Sequence, residues 1–224
     1  MISLVTQIPQ INLPLAEIIK INCNYNLYSD VAMFWVQDET RAIISMLDGN
    51  MVVYNRDADF DELREFIGVV APTSIFSDAD TLTGLFGENF ERVCVVKSDT
   101  AFTCDVKSDV LDSKEIYRAL NVDGLELPPY EYFAVDYCLR LNRGQLKYFA
   151  IKGVCAAVGI SDGQSVLING ISSHKKGMGS TALRGLLSQY NKTTVAVCKT
   201  DVMPFYLKND FQLDYYAGYW RKNL

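Results

Sequence analysis

The chain has 224 residues, 49% of them hydrophobic and 21% charged, and a formal net charge of −6, the composition of an ordinary globular protein with room for one large core or two small ones. Its wholly apolar runs are a few residues long, far short of the roughly 20 a membrane helix needs. The start, MISLVTQIPQINLPLAEIIK, lacks a basic n-region and a small-residue cleavage site, so the expectation is a cytoplasmic chain with neither signal peptide nor membrane contact.

In chain order, LPLAEIIKIN predicts a helix. AMFWVQD, RAIISML and MVVYN predict strands, the last two separated by the turn signal Asp48-Gly49. DFDELREFIGVV predicts a helix, since Leu63, Phe66, Ile67 and Val70 share one face and acids fill its first turn. TSIFS reads as a buried strand, DADTLTGLFG as a short helix ended by glycine, and FERVCVVKS as a strand. Residues 109–121 read as a helix with Asp112 or Ser113 as N-cap. Pro128-Pro129 excludes regular helix within GLELPPYEYF and marks the best boundary, giving expected domains of 1–125 and 126–224.

Beyond it, FAVDYCLRLNRG ends at a glycine turn, and QLKYFAIKG, VCAAVGIS and SVLINGISS read as strands. HKKGMGST then leads into a helix with Leu183, Leu186 and Leu187 on one face. TTVAVCK is a continuously apolar strand of the sheet-centre kind, DVMPFYLKNDF a helix with Pro204 in its first turn, and QLDYYAGYW a last strand. This order makes the second half α/β.

Chemistry is concentrated in HKKGMGST. A glycine pair between a strand end and a helix start leaves the first helical amides without side chains in front of them, at the positive end of the helix dipole. Gly177 and Gly179 open that space, and Lys175 and Lys176 add charge, which suits an anion. The alternative is a plain turn with the helix capped by Ser173. Neither G-x-x-x-x-G-K-[ST] nor G-x-G-x-x-G is present. Residues 1–120 hold 9 Lys+Arg against 19 Asp+Glu, and residues 121–224 hold 12 against 8. The loop therefore lies in the basic half, whose modest excess fits a small phosphorylated ligand and not a nucleic acid. Six cysteines without a C-x-x-C pair and a single histidine point to buried, reduced thiols and to no metal site.

The segment ISSHKKGMGSTALRGLL resembles motif A of the GNAT superfamily of acyl-CoA-dependent N-acyltransferases, where a strand runs into [QR]-x-x-G-x-[GA] and an amphipathic helix. PFYLKNDF is similar to that family's Y-x-x-x-G-F, with Tyr206 and Phe211 in register. VDYCLRLNRGQLKYFAIKGVCAAVGI resembles the antiparallel strands preceding motif A in a subgroup with tandem GNAT-like halves. The likeness covers about 130–224. His174 stands at the Arg/Gln position and Asp210 at the glycine of Gly-Phe.

The resemblance implies an α/β fold with a mixed sheet (GNAT-like in the C-terminal half) and an acetyl-CoA-dependent N-acetyltransferase that needs no metal. Backbone groups of Asn169, Gly170, Ile171 and Ser172 would meet the pantetheine arm. The loop His174, Lys175, Lys176, Gly177, Met178, Gly179, Ser180 and Thr181 would hold the pyrophosphate. Tyr206 would protonate the departing thiolate. Asp136, Asp162 and Glu131 are undiscriminated candidates for the base. The implied acceptor is a small-molecule or protein amine, and a homodimer is compatible with it. A binding or regulatory protein on the same scaffold is the competing expectation, motivated by His174 and Asp210. The acidic half repeats the order hairpin, helix, strand without any glycine loop, and a second, degenerate GNAT-like unit is expected there.

Overall fold

The computed structural model describes residues 1–6, 17–29, 31–122 and 125–222. In chain order its elements are β1 (Ile2–Val5), α1 (Glu17–Asn26), β2 (Met33–Gln37), β3 (Ala42–Leu47), β4 (Asn50–Asn55), α2 (Phe60–Val70), β5 (Ser74–Asp78), α3 (Ala79–Phe86) and β6 (Glu91–Ser98). There follow α4 (Ser113–Leu120), α5 (Tyr130–Asn142), β7 (Leu146–Ile151), β8 (Cys155–Ser161), β9 (Ser165–Ser173), α6 (Met178–Leu187), β10 (Thr193–Cys198), α7 (Met203–Leu207) and β11 (Gln212–Arg221). The start of LPLAEIIKIN lies outside the described residues. No described helix is long and apolar enough to cross a membrane.

Contacts divide the chain into two compact units, Met1–Val96 with Val197–Leu224, and Lys97–Ala196. The cuts fall within β6 and β10, and the position 125/126 lies inside the second unit.

In the first unit the strand order is β1-β2-β3-β4-β5-β11-β6. β1 through β4 pair antiparallel, β4 and β5 parallel, and β5 and β11 antiparallel. Helices cover both faces, because successive strand residues point to opposite sides. Ile44 packs with Leu63 and Ile67 of α2 and with Leu82 and Leu85 of α3. Its neighbour Ser45 meets α1 on the other face, where its Oγ accepts from Asn26 Nδ2 at 3.2 Å. Leu63 and Ile67 are buried, with Phe66 and Val70 packed against the same core.

In the second unit the order is β10-β9-β8-β7, antiparallel except for the parallel β9–β10 pair. Phe149 of β7 faces α6, where a Cβ on Gly185 would stand 2.3 Å from its ring. The adjacent Tyr148 faces the other way, toward Tyr137 of α5. Its hydroxyl accepts from Leu111 N at 3.1 Å, just ahead of α4.

The helix α5 corrects one expectation. Residues 135–142, which resemble a strand, are helical, and the strands begin at Leu146. Pro129 is the N-cap of α5, a place where a missing N–H costs nothing because the first helical amides have no partner in any case. The proline pair therefore precedes a helix directly.

Candidate functional site

The site is built from one strand, one turn and one helix. β9 pairs with β10 only from Ser165↔Thr193 to Ile168↔Ala196, yet it continues to Ser173 on its β8 side, with Ile171 opposite Ala157 and Ser172 opposite Ala156. Between these stretches Val158 pairs with Gly170 while Gly159 pairs with Ile168, so Asn169 is the extra residue of a β-bulge. The bulge exchanges faces. A Cβ on Gly159 would touch Val166 and Leu186 on the α6 side, whereas one on Gly170 would touch Leu120 of α4. Four residues apart in a regular strand, Val166 and Gly170 would share a face. Here they do not, and past Ile168 the edge of β9 that faced β10 carries no further ladder pair among the described residues.

The turn then presents the start of α6. Gly170 and Ser172 are buried and Ile171 is half-buried; His174, Lys175, Lys176 and Gly177 are exposed; Met178, Gly179, Ser180 and Thr181 are half-buried. Ser172 Oγ donates to the Ala119 carbonyl, so its side chain serves α4 and only its backbone is left for a ligand. Ser173 is not the helix cap: its hydroxyl donates to the Lys175 carbonyl at 2.6 Å and accepts from the Lys175 N–H at 3.3 Å. The His174 N–H is held by the Val154 carbonyl at 2.8 Å. Gly177 is the N-cap, at φ 86° and ψ −17°, and no side chain caps α6. A Cβ at Gly177 would meet nothing within 4 Å, so glycine is required by the left-handed backbone and not by crowding. An N-terminus uncapped by any side chain beside two lysines has the donors and the charge that suit an anion.

The first unit holds the counterpart of each part, in a closed form. The order β2-β3-β4-α2-β5-α3-β6 is matched by β7-β8-β9-α6-β10-α7-β11. The β4–β5 ladder likewise stops early, at Val52↔Phe76. There, however, Ser77 Oγ donates to the Val53 carbonyl at 2.7 Å, and Asn55 Nδ2 donates to Thr81 Oγ1 at 3.0 Å. The start of α2 is plugged by Asp59, whose Oδ1 accepts from Asp61 N at 3.0 Å and Glu62 N at 3.2 Å. Asp61 and Glu62 add negative charge in the first turn. An anion is repelled where the second unit would attract one.

Tyr206 lies on α7, in the first unit. It is 4% exposed, T-stacked on Phe205 and Phe211 at centroid distances of 5.2 and 5.3 Å. Burial, with Cys198 nearby, holds its phenol well above the ordinary value. It is therefore protonated at neutral pH and is a weaker acid than an exposed tyrosine. Two of the three base candidates have other partners. Asp136 pairs with Arg140 Nε at 2.8 and 3.0 Å, Asp162 Oδ1 accepts from Gln164 N and Ser165 N at 2.8 Å each, and Glu131 stands in the first turn of α5. Cys23, Cys94, Cys155 and Cys198 are buried, and burial pushes the Cys23 and Cys198 thiols up to about 12. Among the described residues no group of His, Cys, Asp and Glu is placed to hold a metal.

No known family pattern matches the sequence, and no curated protein is similar to it in sequence. Solved structures are similar in fold. A candidate acetyltransferase from Pyrococcus horikoshii superposes with a TM-score of 0.56 at 11% identity, covering 91% of this chain and 78% of that one. A functionally unknown conserved protein from Staphylococcus epidermidis gives 0.51 at 12% identity, covering 82% and 91%. A tandem GNAT protein of the clavulanic acid biosynthesis pathway gives 0.50 at 10% identity, covering 85% and 82%. The fold is GNAT-like.

Within a GNAT fold, the departure at Asp210 has a structural reading. Asp210 adopts φ 66°, the Phe211 N–H reaches back to the Tyr206 carbonyl at 3.2 Å, and the two rings touch. This is a Schellman ending to α7, with the left-handed residue in the position glycine favours. Aspartate tolerates that backbone better than most residues, so the turn survives the exchange. The sequence reading missed the bulge at Asn169, although an Asn-Gly pair inside a strand pattern is a signal for one. It also missed Asn55, Ser77 and Thr81, which close the first unit's cleft and carry no motif.

Proposed function

We propose that the protein transfers an acetyl group from acetyl-CoA to an amine, a small molecule or a protein, with the second unit holding the coenzyme. The observation that carries this reading is the uncapped, glycine-led start of α6 at the end of a strand whose outer edge is open. Its counterpart at α2 is filled by Asp59. The residues fit the coenzyme: backbone groups of Asn169 to Ser172 offer donors and acceptors to an amide-bearing arm, and the amides from Lys176 to Thr181, with Lys175 and Lys176, offer a cationic cradle to a diphosphate. Acetyl-CoA supplies an acyl group already activated as a thioester. Tyr206 is the candidate proton donor to the leaving thiolate, and its phenol, held above the ordinary value by burial, would have to come down toward the thiolate's own range when the coenzyme is bound. No metal is needed. Cytoplasmic location and a homodimer are compatible with this reading.

A second reading, a GNAT-fold binding or regulatory protein without turnover, is favoured by the 4% exposure of Tyr206.

Calorimetric titration with acetyl-CoA tests the loop that both readings share, and an amine-acceptor screen separates the two. The wild type is expected to bind saturably, and Gly177→Glu to bind at least tenfold more weakly while melting cooperatively. In an amine-acceptor screen Tyr206→Phe should keep coenzyme affinity and lose rate. No binding by the wild type overturns both readings of the loop. Binding without turnover on any amine leaves the second reading.

A further inference from the structure

The first unit contains a cavity of about 350 Å³ between α2, α3 and the end of β11, within the size range of small-molecule sites. Phe86 and Trp220 line it as a pair of rings stacked on each other at 4.6 Å and 13°, with Ile67 beside them. Gly68 lines the same space. It sits in the interior of α2, where glycine weakens a helix, and a Cβ there would meet nothing within 4 Å. Neither a left-handed backbone nor close packing requires glycine there, so a larger side chain at this position would extend into the cavity. Two cations flank the cavity. Arg64 is held in place by Nη2 on the Gly84 carbonyl at 2.6 Å and Nη1 on Asp61 at 2.5 Å. Lys222 is exposed, and among the described residues no acidic group pairs with its ammonium. Two cations against one carboxylate leave the lining positive beside the aromatic pair.

We propose that this cavity binds a small aromatic carboxylate, its ring against Trp220 and Phe86 and its carboxylate at Lys222 with support from Arg64. All residues named belong to the first unit, and the proposal does not depend on coenzyme binding at α6.

The test titrates the full-length, ¹⁵N-labelled protein with three indoles that share a ring and differ in charge: indole-3-acetate, the neutral tryptophol and the cationic tryptamine. Indole-3-acetate should shift the amides of Gly68, Leu85 and Lys222 saturably, at least fivefold more tightly than either of the others. Gly68→Leu should fill the space and abolish those shifts with the melting temperature held or raised. Lys222→Gln should reduce indole-3-acetate to the affinity of tryptophol. Absence of saturable shifts at these amides overturns the proposal. So does tryptamine binding as tightly as indole-3-acetate, which would assign the cavity to the carbonyl groups ending α2. If Gly68→Leu fails to fold, Lys222→Gln decides, and unchanged indole-3-acetate affinity in that variant refutes the proposed anchor.

Discussion

Asp210 shows how a single backbone angle explains a motif. The spacing of Tyr206 and Phe211 matters because a left-handed residue between them folds the chain back, so that the Phe211 N–H meets the Tyr206 carbonyl and ring meets ring. What the position requires is φ 66°, which glycine reaches without strain, aspartate at small cost and a β-branched residue at about 1–2 kcal/mol. Asp210→Val should therefore lower stability by about that amount in urea denaturation. Asp210→Gly should match or exceed the wild type. A valine variant as stable as the wild type would remove this account of the motif.

At the scale of elements, α2 and α6 occupy equivalent places and differ in what stands at their first turn. α2, α3 and α4 all start on an aspartate whose side chain accepts from their first amides: Asp59, Asp78 and Asp112. In α4 Glu115 returns the bond to complete a capping box. α6 starts on Gly177 with no side chain bonded to its amides. A carboxylate cap stabilises a helix end by about 1 kcal/mol, so α6 forgoes a stabilisation that α2, α3 and α4 use, at the place where a ligand's phosphates would supply the same bonds. Asp59→Ala should cost about 1 kcal/mol by chemical denaturation and leave acetyl-CoA affinity unchanged. A fall in affinity would mean that the α2 end takes part in coenzyme binding.

For the molecule as a whole, the closing strand of the second set of elements completes the first unit's sheet. β11 pairs antiparallel with β5 from Ala217↔Asp78 to Arg221↔Ser74, and Tyr219 lies against Phe76 at 4.8 Å. Trp220 stacks on Phe86. The first unit is therefore incomplete until β11 has been added. A chain ending at Phe211 should lose the cooperative melting of this unit, followed by Trp35 fluorescence, because β5 would be left with an unpaired edge and exposed aromatic rings. Retention of the full-length transition by that truncated chain would show that β11 is dispensable.

Much of this was legible in the residues. Leu63, Phe66, Ile67 and Val70 announce the buried face of α2, Asp48-Gly49 the β3–β4 turn, and the glycine pair the entrance to α6, because periodicity, turn chemistry and helix ends are local properties. α5 was hidden by Pro128-Pro129, since a proline that ends one helix can equally begin the next. Local pattern alone determined most of the strands and helices and their order, β1 and α5 excepted, and the one loop whose chemistry suits an anion. Only the tertiary structure decided that β11 belongs with β5, that Asn169 bulges and turns Gly170 to the opposite face, and that Ser77, Asn55 and Asp59 close the first unit's cleft while its counterpart at α6 has no side-chain cap. Each of these depends on which distant strand supplies the next hydrogen bond, and no stretch of neighbouring residues carries that information.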